Sequence, residues 1–385
     1  MHDQIEKFQA KMRSDAAAVA TTIAFAVRDD RLITDGVAEL ATLAAAILEQ
    51  LDAAALLIAA PATPFVELLL DRDPSASALI PRDTETRTFL HDIPLIRQTH
   101  WQEGGVKVIA EQLAHRKGVV VEGIGIIAVG PLTVEQAYIF WSSVYHATYV
   151  GYLYDLLCHG YLLPGERDVM AEWQQSLPPL TDAGLIFASC LESSTEILSE
   201  MERVGRYTVT QGLVDSFFGN ISCTLGNILH ISQTGASLDA LAGLIDPVPF
   251  DNSSTCGITA SSELAAHRRI VEVTGCRTIL HGHPRFSVIM SMLCEVEGCP
   301  ITDCWRDCDR VRLLGGTPVV AGEIGAGGLA KRVPPVIGQT GAAIVFGHGV
   351  FAIGSGDFAT PFRALLQVEQ WCRTEYFRCL HQRWQ

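Results

Sequence analysis

Charge is scarce in this chain: 18% of its 385 residues are Asp, Glu, Lys or Arg, while 48% are apolar. That is the composition of a well-buried globular protein, and its length exceeds the usual size of one core, so two domains are expected. Positive charge is scarcer still. Only 28 Lys and Arg stand against 43 Asp and Glu, for a formal net charge of −15, and no basic stripe interrupts the sequence. Nucleic acids and anionic membrane surfaces both need clustered cations, so neither is an expected partner. Long apolar runs are missing as well. The longest, around 53–62, is too short to span a bilayer, and the opening MHDQIEKFQAKMRSD lacks the apolar core of a leader, so a cytoplasmic location is expected. Paired C-x2-C knuckles are absent although there are 11 cysteines. An odd, scattered count does not suit a secreted disulfide framework, and reduced thiols are expected. Cys294, Cys299, Cys304 and Cys308 are near enough in sequence to ligate a second metal, but their irregular gaps favour free thiols. The Gly-rich run GEIGAGG (322–328) lacks the strand-to-helix setting of a dinucleotide or P-loop site and reads as loop.

What is present is a histidine trio. His281 and His283 lie in ILHGHP, and His348 lies in VFGHGV, sixty-five residues after His283. On an extended strand, residues two apart point the same way, so two imidazoles at that spacing can grip one ion from one side. Gly347 and Gly349 flank His348, which suits a tight turn that lets the backbone approach closely while one imidazole projects. Three neutral imidazoles with one open position describe a catalytic zinc site or a similar divalent centre.

A His-x-His pair alone is a weak signal, and its surroundings strengthen it. Upstream stand GNIS (219–222), ISQTG (231–235) and SSE (261–263), the last opening the amphipathic run ELAAHRRIVEV. The order GNxS, T/S-x-S/T-G, SSE, HxHP and HG resembles the class II aldolase/adducin family, over about residues 180–385. The resemblance implies an α/β fold of α/β/α layers around a mainly antiparallel central sheet. It implies a divalent ion on His281, His283 and His348, either Zn2+ or another such as Mn2+, Fe2+ or Co2+. Glu263 becomes the proton carrier, although SSE is also an ordinary helix start with Ser261 or Ser262 as N-cap. Burial would raise the Glu263 pKa towards the working pH. Asn220, Ser222, Thr234, Gly235, Ser261 and Ser262 become the donors for a substrate phosphate.

The function so implied is a metal-dependent lyase acting on a small phosphorylated sugar or hydroxy-keto acid by retro-aldol or related enediolate chemistry. Epimerases, dehydratases and decarboxylases share the site, and adducin shows that a non-enzymatic interaction protein is the other alternative. A homo-oligomer, dimer or tetramer, is also implied. In two places the pattern departs: Gln233 stands in ISQTG where Pro is usual, and Arg285 follows HxHP, where it forms an ion pair or an anion contact. The acid/base tyrosine that the family draws from a neighbouring subunit has no match, with Tyr376 and Tyr207 available.

The Pro-, Gly- and acid-rich stretch 160–184 divides the chain into expected domains 1–165 and 178–385. The two sides run in parallel. LLIAAPATPFVELLL, HDIPLI and GVVVEGIGIIAVG precede the same kinds of segment as TILHGHPRFSVIMSML, GGTPVV and AAIVFGHGVFAIG, each side ending in a long helical pattern. Setting Pro61 against Pro284 and Gly130 against Gly354 places the metal positions on Ile58, Ala60 and Ile124, none of which binds an ion. A tandem duplication whose first copy lost its chemistry is expected, as opposed to two unrelated α/β domains. Glu39 is a candidate remnant of Glu263, and no counterpart of GNIS is visible. Periodicity predicts helices over 5–27, 38–51, 134–157, 185–201, 204–217 and 361–384.

Overall fold

The computed structural model describes residues 1–384 apart from 16, 216, 295 and 323–325, and its chain divides into compact units of Met1–Leu177 and Pro178–Arg383. The first unit is built on seven strands: β1 (Ala24–Arg28), β2 (Leu32–Gly36), β3 (Ala55–Ala59), β4 (Ala78–Leu79), β5 (Ile93–Ile96), β6 (Gly118–Val121) and β7 (Gly125–Gly130). They lie in the order β2-β1-β3-β7-β6-β5-β4. The second unit has β8 (Asn220–Leu225), β9 (Ile228–Ser232), β10 (Ile245–Pro249), β11 (Thr278–Gly282), β12 (Arg312–Leu314), β13 (Thr317–Val320), β14 (Ala342–Val345) and β15 (Gly349–Gly354). Its order is β10-β9-β8-β11-β15-β14-β13-β12, the same path with one strand added at an edge.

The correspondence extends to register. Each sheet contains one parallel pair, β5 with β6 and β13 with β14, and every other pairing is antiparallel. Ala55 faces Gly130 where Thr278 faces Gly354, and Gly118 faces Ala128 where Ala342 faces Ala352. Because a one-residue slip would turn every side chain to the wrong face, matching register in two sheets reflects a shared template. The chain is a tandem duplication of one α/β unit. Ile58 takes the pairing position of His281, Ala24 that of Asn220 and Ala26 that of Ser222. GNIS therefore does have a counterpart in β1, as an alanine strand stripped of polar groups.

Helices cover both faces of each sheet. In the second unit, Leu264–Thr274 and Pro334–Thr340 pack on one face with Ile270, Ile279, Val333, Ile337, Ala343 and Phe351 between them. Arg285–Met292 and Ala359–Arg383 pack on the other. Among the described residues, no helix is long and apolar enough to cross a membrane.

Several predicted boundaries move. The helix expected over 5–27 is His2–Ser14, and Ala24–Arg28 is a buried strand, since pairing with β2 and β3 overrides the helix preference of an Ala-rich segment. The helices expected over 185–201 and 204–217 are one helix, Ser194–Thr210, started by a capping box of Ser193 with Glu196. Residues 166–176, read as linker, form a helix of the first unit that buries Glu166, Met170 and Trp173. Of GEIGAGG, 323–325 lie outside the described residues, and Ala326–Arg332 is helix rather than loop.

Candidate active site

His281 lies on β11 facing the helix Leu264–Thr274, together with Asn220 and Ser222 of β8, whose cross-strand partners are His281 and Ile279. His283 follows one residue beyond the strand end. His348 comes from the turn between β14 and β15. Gly347 there has φ +60°, the His348 N–H donates to Val345 O at 3.0 Å, and the Gly347 N–H donates to Ser291 Oγ at 2.8 Å. The first unit keeps this turn with Gly123 at φ +79° and the Ile124 N–H on Val121 O at 3.0 Å, but presents Ile124 where His348 stands.

The three histidines converge: one ligand nitrogen from each lies within 4.8 Å of the others. His281 Nε2 and His283 Nε2 are 2.9 Å apart, and ring centroids are 4.7 Å apart for His283 and His348. Nitrogens at zinc–nitrogen distances of about 2.0–2.1 Å on a tetrahedron sit about 3.3 Å apart, so this spacing suits one shared ion. His281 Nδ1–H donates to Val350 O at 3.0 Å, which leaves the Nε2 lone pair aimed at the cluster. A Cβ on Gly349 would meet Gly282 O at 2.4 Å and the His283 ring at 2.7 Å, so only glycine lets the strand pass. The residues present fit a divalent cation.

Glu263 completes the group, with Oε1 at 3.1 Å from His348 Nε2 and Oε2 at 3.5 Å from His281 Nε2. It occupies the N-cap position of the helix without capping it, so neither Ser261 nor Ser262 is the N-cap, and Ser261 Oγ accepts from the Glu263 N–H at 3.2 Å. Burial alone would raise its pKa, but the adjacent His281 and His348 imidazoles, with hydrogen bonds from His348 and Asn220, hold it below the usual carboxylate range. The raised value expected from enclosure is therefore corrected.

A relay fixes this carboxylate. A carboxylate only accepts, so Asn220 Nδ2–H donates to Glu263 Oε2 at 2.8 Å, and Asn220 Oδ1 then accepts from His267 Nε2–H at 2.5 Å. His267 Nδ1 is left to accept from Ser222 Oγ–H at 2.7 Å. Burial pushes the His267 imidazole down to about 3 and that of His281 down to about 4, so both are neutral near pH 7. His267 is fully buried and was missed in the sequence. Its signal was there: Glu263 and His267 are four residues apart, hence on one helix face.

The expected phosphate donors divide into two sets. Asn220 and Ser222 are buried and committed to Glu263 and His267, so Ser222 is an internal support and not a substrate donor. The other four come together, three of them at the surface. Thr234 joins its loop to the SSE segment through its N–H on Thr259 O at 3.0 Å and its hydroxyl on Ala260 O at 2.9 Å. Asp246 staples the two by accepting from Gln233 Nε2 at 2.8 Å and Thr259 Oγ1 at 2.6 Å. Gln233, the departure from Pro, thus has a structural task. Thr234, Gly235 and Ser262 are exposed beside the buried Ser261.

The remaining candidates lie elsewhere. Tyr376 is fully buried against Phe286 and Phe377, and Tyr207 donates to Ile186 O at 3.3 Å. Arg285 acts electrostatically on Glu369. Glu39 is exposed in the first turn of Ala38–Leu48, whose N-cap is Val37, so it does not hold the place of Glu263.

Residues 199–376, all within the second unit, match the family model described as Class II Aldolase and Adducin N-terminal domain. Among solved structures, an l-fuculose-1-phosphate aldolase from Thermus thermophilus is 23% identical, covering 47% of this chain and 94% of its own at a TM-score of 0.39. YgbL from Klebsiella pneumoniae, a putative aldolase/epimerase/decarboxylase, is 22% identical, with coverages of 49% and 91% and a TM-score of 0.39. A sugar-phosphate aldolase from Thermotoga maritima is 16% identical, with coverages of 49% and 96% and a TM-score of 0.36. No curated protein matches the chain.

Proposed function

We propose that the second unit is a divalent-metal-dependent lyase for a small phosphorylated sugar or hydroxy-keto acid, working by retro-aldol cleavage or a related enediolate reaction. The observation that carries this reading is the histidine trio within 4.8 Å, with a carboxylate 3.1 Å from one of its nitrogens. A cation held by His281, His283 and His348 supplies Lewis-acid stabilisation of the negative charge that develops on a substrate oxygen.

The chain's own groups do the rest. Glu263 is the carboxylate placed to take a proton from a substrate hydroxyl or carbon and return it, and displacement of the imidazole contacts by a bound ion and substrate would bring its pKa nearer the working pH. Asn220 and His267 hold the carboxylate in place, so less reorientation accompanies transfer. Gly235 and Ser262 are the groups suited to a phosphate, with Thr234 and Ser261 holding their segments in place. Epimerisation, dehydration or decarboxylation would use the same groups, and product analysis separates them. An interaction protein would have no need of an aligned trio with an oriented carboxylate.

Elemental analysis of the purified chain, followed by a screen of phosphorylated ketoses, tests the reading. One divalent ion bound at the trio and turnover of such a substrate are expected; a metal-free protein without turnover overturns it. We also infer a homo-oligomer, and a monomer in light scattering with full metal content would contradict this.

A further inference from the structure

The first unit, which lacks the metal ligands, holds a cavity of its own. About 430 Å³ stands open between helix Phe65–Arg72 and helix Val134–His159, within the size range of small-molecule sites. Its floor is Leu95 of β5 and Val120 of β6, which pair across the sheet. Val319, the counterpart of Leu95 by register, is 1% exposed, whereas Leu95 is only half-buried. Chain length accounts for the difference. From Arg72 to β4 the connection takes only 73–77, while in the second unit 293–311 join helix Arg285–Met292 to β12, so less chain lies over the first unit's floor.

A glycine keeps the space clear. Gly151 lines the cavity from the interior of Val134–His159, where glycine weakens a helix. No close approach demands it, because a Cβ there would meet only Leu79, at 3.9 Å. With Gly130 set against Gly354, the same position in the final helix of the second unit is Glu375. What the missing side chain provides is room.

Polar groups gather at one end. Asp155 and His159 follow Gly151 at four-residue steps, on the same helix stripe. Asp155 accepts from Arg72 Nε–H at 2.8 Å and from His159 Nδ1–H at 2.9 Å, and the Arg72 side chain, 3% exposed, also bonds Glu166 and the Gly160 carbonyl. Asp73 accepts the N–H of Ser75 at 3.1 Å and its hydroxyl at 2.7 Å. These charges are answered within the unit. Arg82 differs: it is exposed at the rim, its guanidinium lies 6.0 Å from the Tyr154 ring centre, and among the described residues no carboxylate engages it.

We propose that this cavity binds a small apolar monocarboxylate, with its body against Val66, Leu95 and Val120 and its carboxylate on Arg82. A guanidinium takes a carboxylate through two parallel hydrogen bonds, and burial of the apolar body supplies the rest of the affinity. The first copy then has a binding task that does not depend on the ligands it lacks.

Calorimetric titration of the full-length protein with octanoate, and with 1-octanol as its uncharged counterpart, tests this. One equivalent of octanoate is expected to bind, and Arg82→Gln should weaken it about tenfold or more while leaving 1-octanol unaffected. Gly151→Leu should fill the cavity and abolish binding of both without lowering the unfolding temperature, since its Cβ has room. His283→Ala should bind octanoate as the wild type does, which separates this cavity from the histidine trio. No binding by the wild type overturns the proposal, as does equal binding by Gly151→Leu or octanoate affinity indifferent to Arg82→Gln. Should Gly151→Leu not fold, Leu95→Trp, which fills the cavity from its floor, decides in its place by the same two outcomes.

Discussion

Glu263 shows how neighbours outweigh burial. A carboxyl group in so enclosed a place would ordinarily hold its proton, yet two imidazoles and an amide keep it ionised. The family resemblance pointed to the residue, while its protonation state follows from distances no sequence displays. Replacing His283 by Ala removes one of three ligands, and loss of both metal and turnover is expected, read by elemental analysis and product assay. His267→Asn acts one step back. It leaves the ligands alone but frees Asn220 and Glu263, so kcat should fall by an order of magnitude or more with metal content and KM nearly unchanged. The lost buried hydrogen bonds cost about 1–3 kcal/mol of stability, measurable by denaturant unfolding. Gly349→Ala places a methyl group against the Gly282 carbonyl and the His283 ring, and a lower unfolding temperature with weakened metal retention is expected.

The helix Arg285–Met292 starts directly after the HxHP motif and depends on a distant partner. Glu369 of the final helix accepts the N–H groups of Phe286 at 2.9 Å and Ser287 at 2.8 Å, and the Ser287 hydroxyl at 2.6 Å. Burial pushes its pKa up to about 7, against the opposing pull of Ser287. A folded value above the unfolded one means the folded protein binds the proton more tightly. This contribution is complete at acid pH and is lost as pH rises from about 4.5 through 7. Stability should therefore decline over that window by at most about 3 kcal/mol, since each tenfold change in proton affinity is worth about 1.4 kcal/mol. Glu369→Gln should flatten this part of the profile, and urea unfolding at a series of pH values checks it; equal slopes in both proteins would contradict the assignment. The start of Val134–His159, marked by Thr133 with Gln136, was legible, whereas that of Ser194–Thr210 was misread although Ser193 and Glu196 mark it in the same way. They were misread where composition competed with pairing, as in the Ala-rich approach to β1.

Across the molecule, two copies of one sheet diverged in their chemistry while keeping their register. The first copy presents Ile58, Ala60 and Ile124 in place of the trio, and Ala24 and Val37 in place of Asn220 and Glu263. A single ligand cannot rebuild a site missing five groups. In the His283→Ala protein, adding Ile58→His should leave metal content unchanged, and recovery of a full equivalent would contradict the erosion.

The sequence by itself determined the duplication and the histidine trio, and pointed to the metal chemistry proposed for it, because strand alternation, Gly turns and ligand types are local and survive in one dimension. Only the tertiary structure decided that the Glu263 carboxylate stands among the imidazoles, that Asn220 and His267 bond to it in series, and that Ser222 supports His267 from within. Those properties depend on which side chains meet across strands and helices distant in the chain, and pairing register sets those encounters.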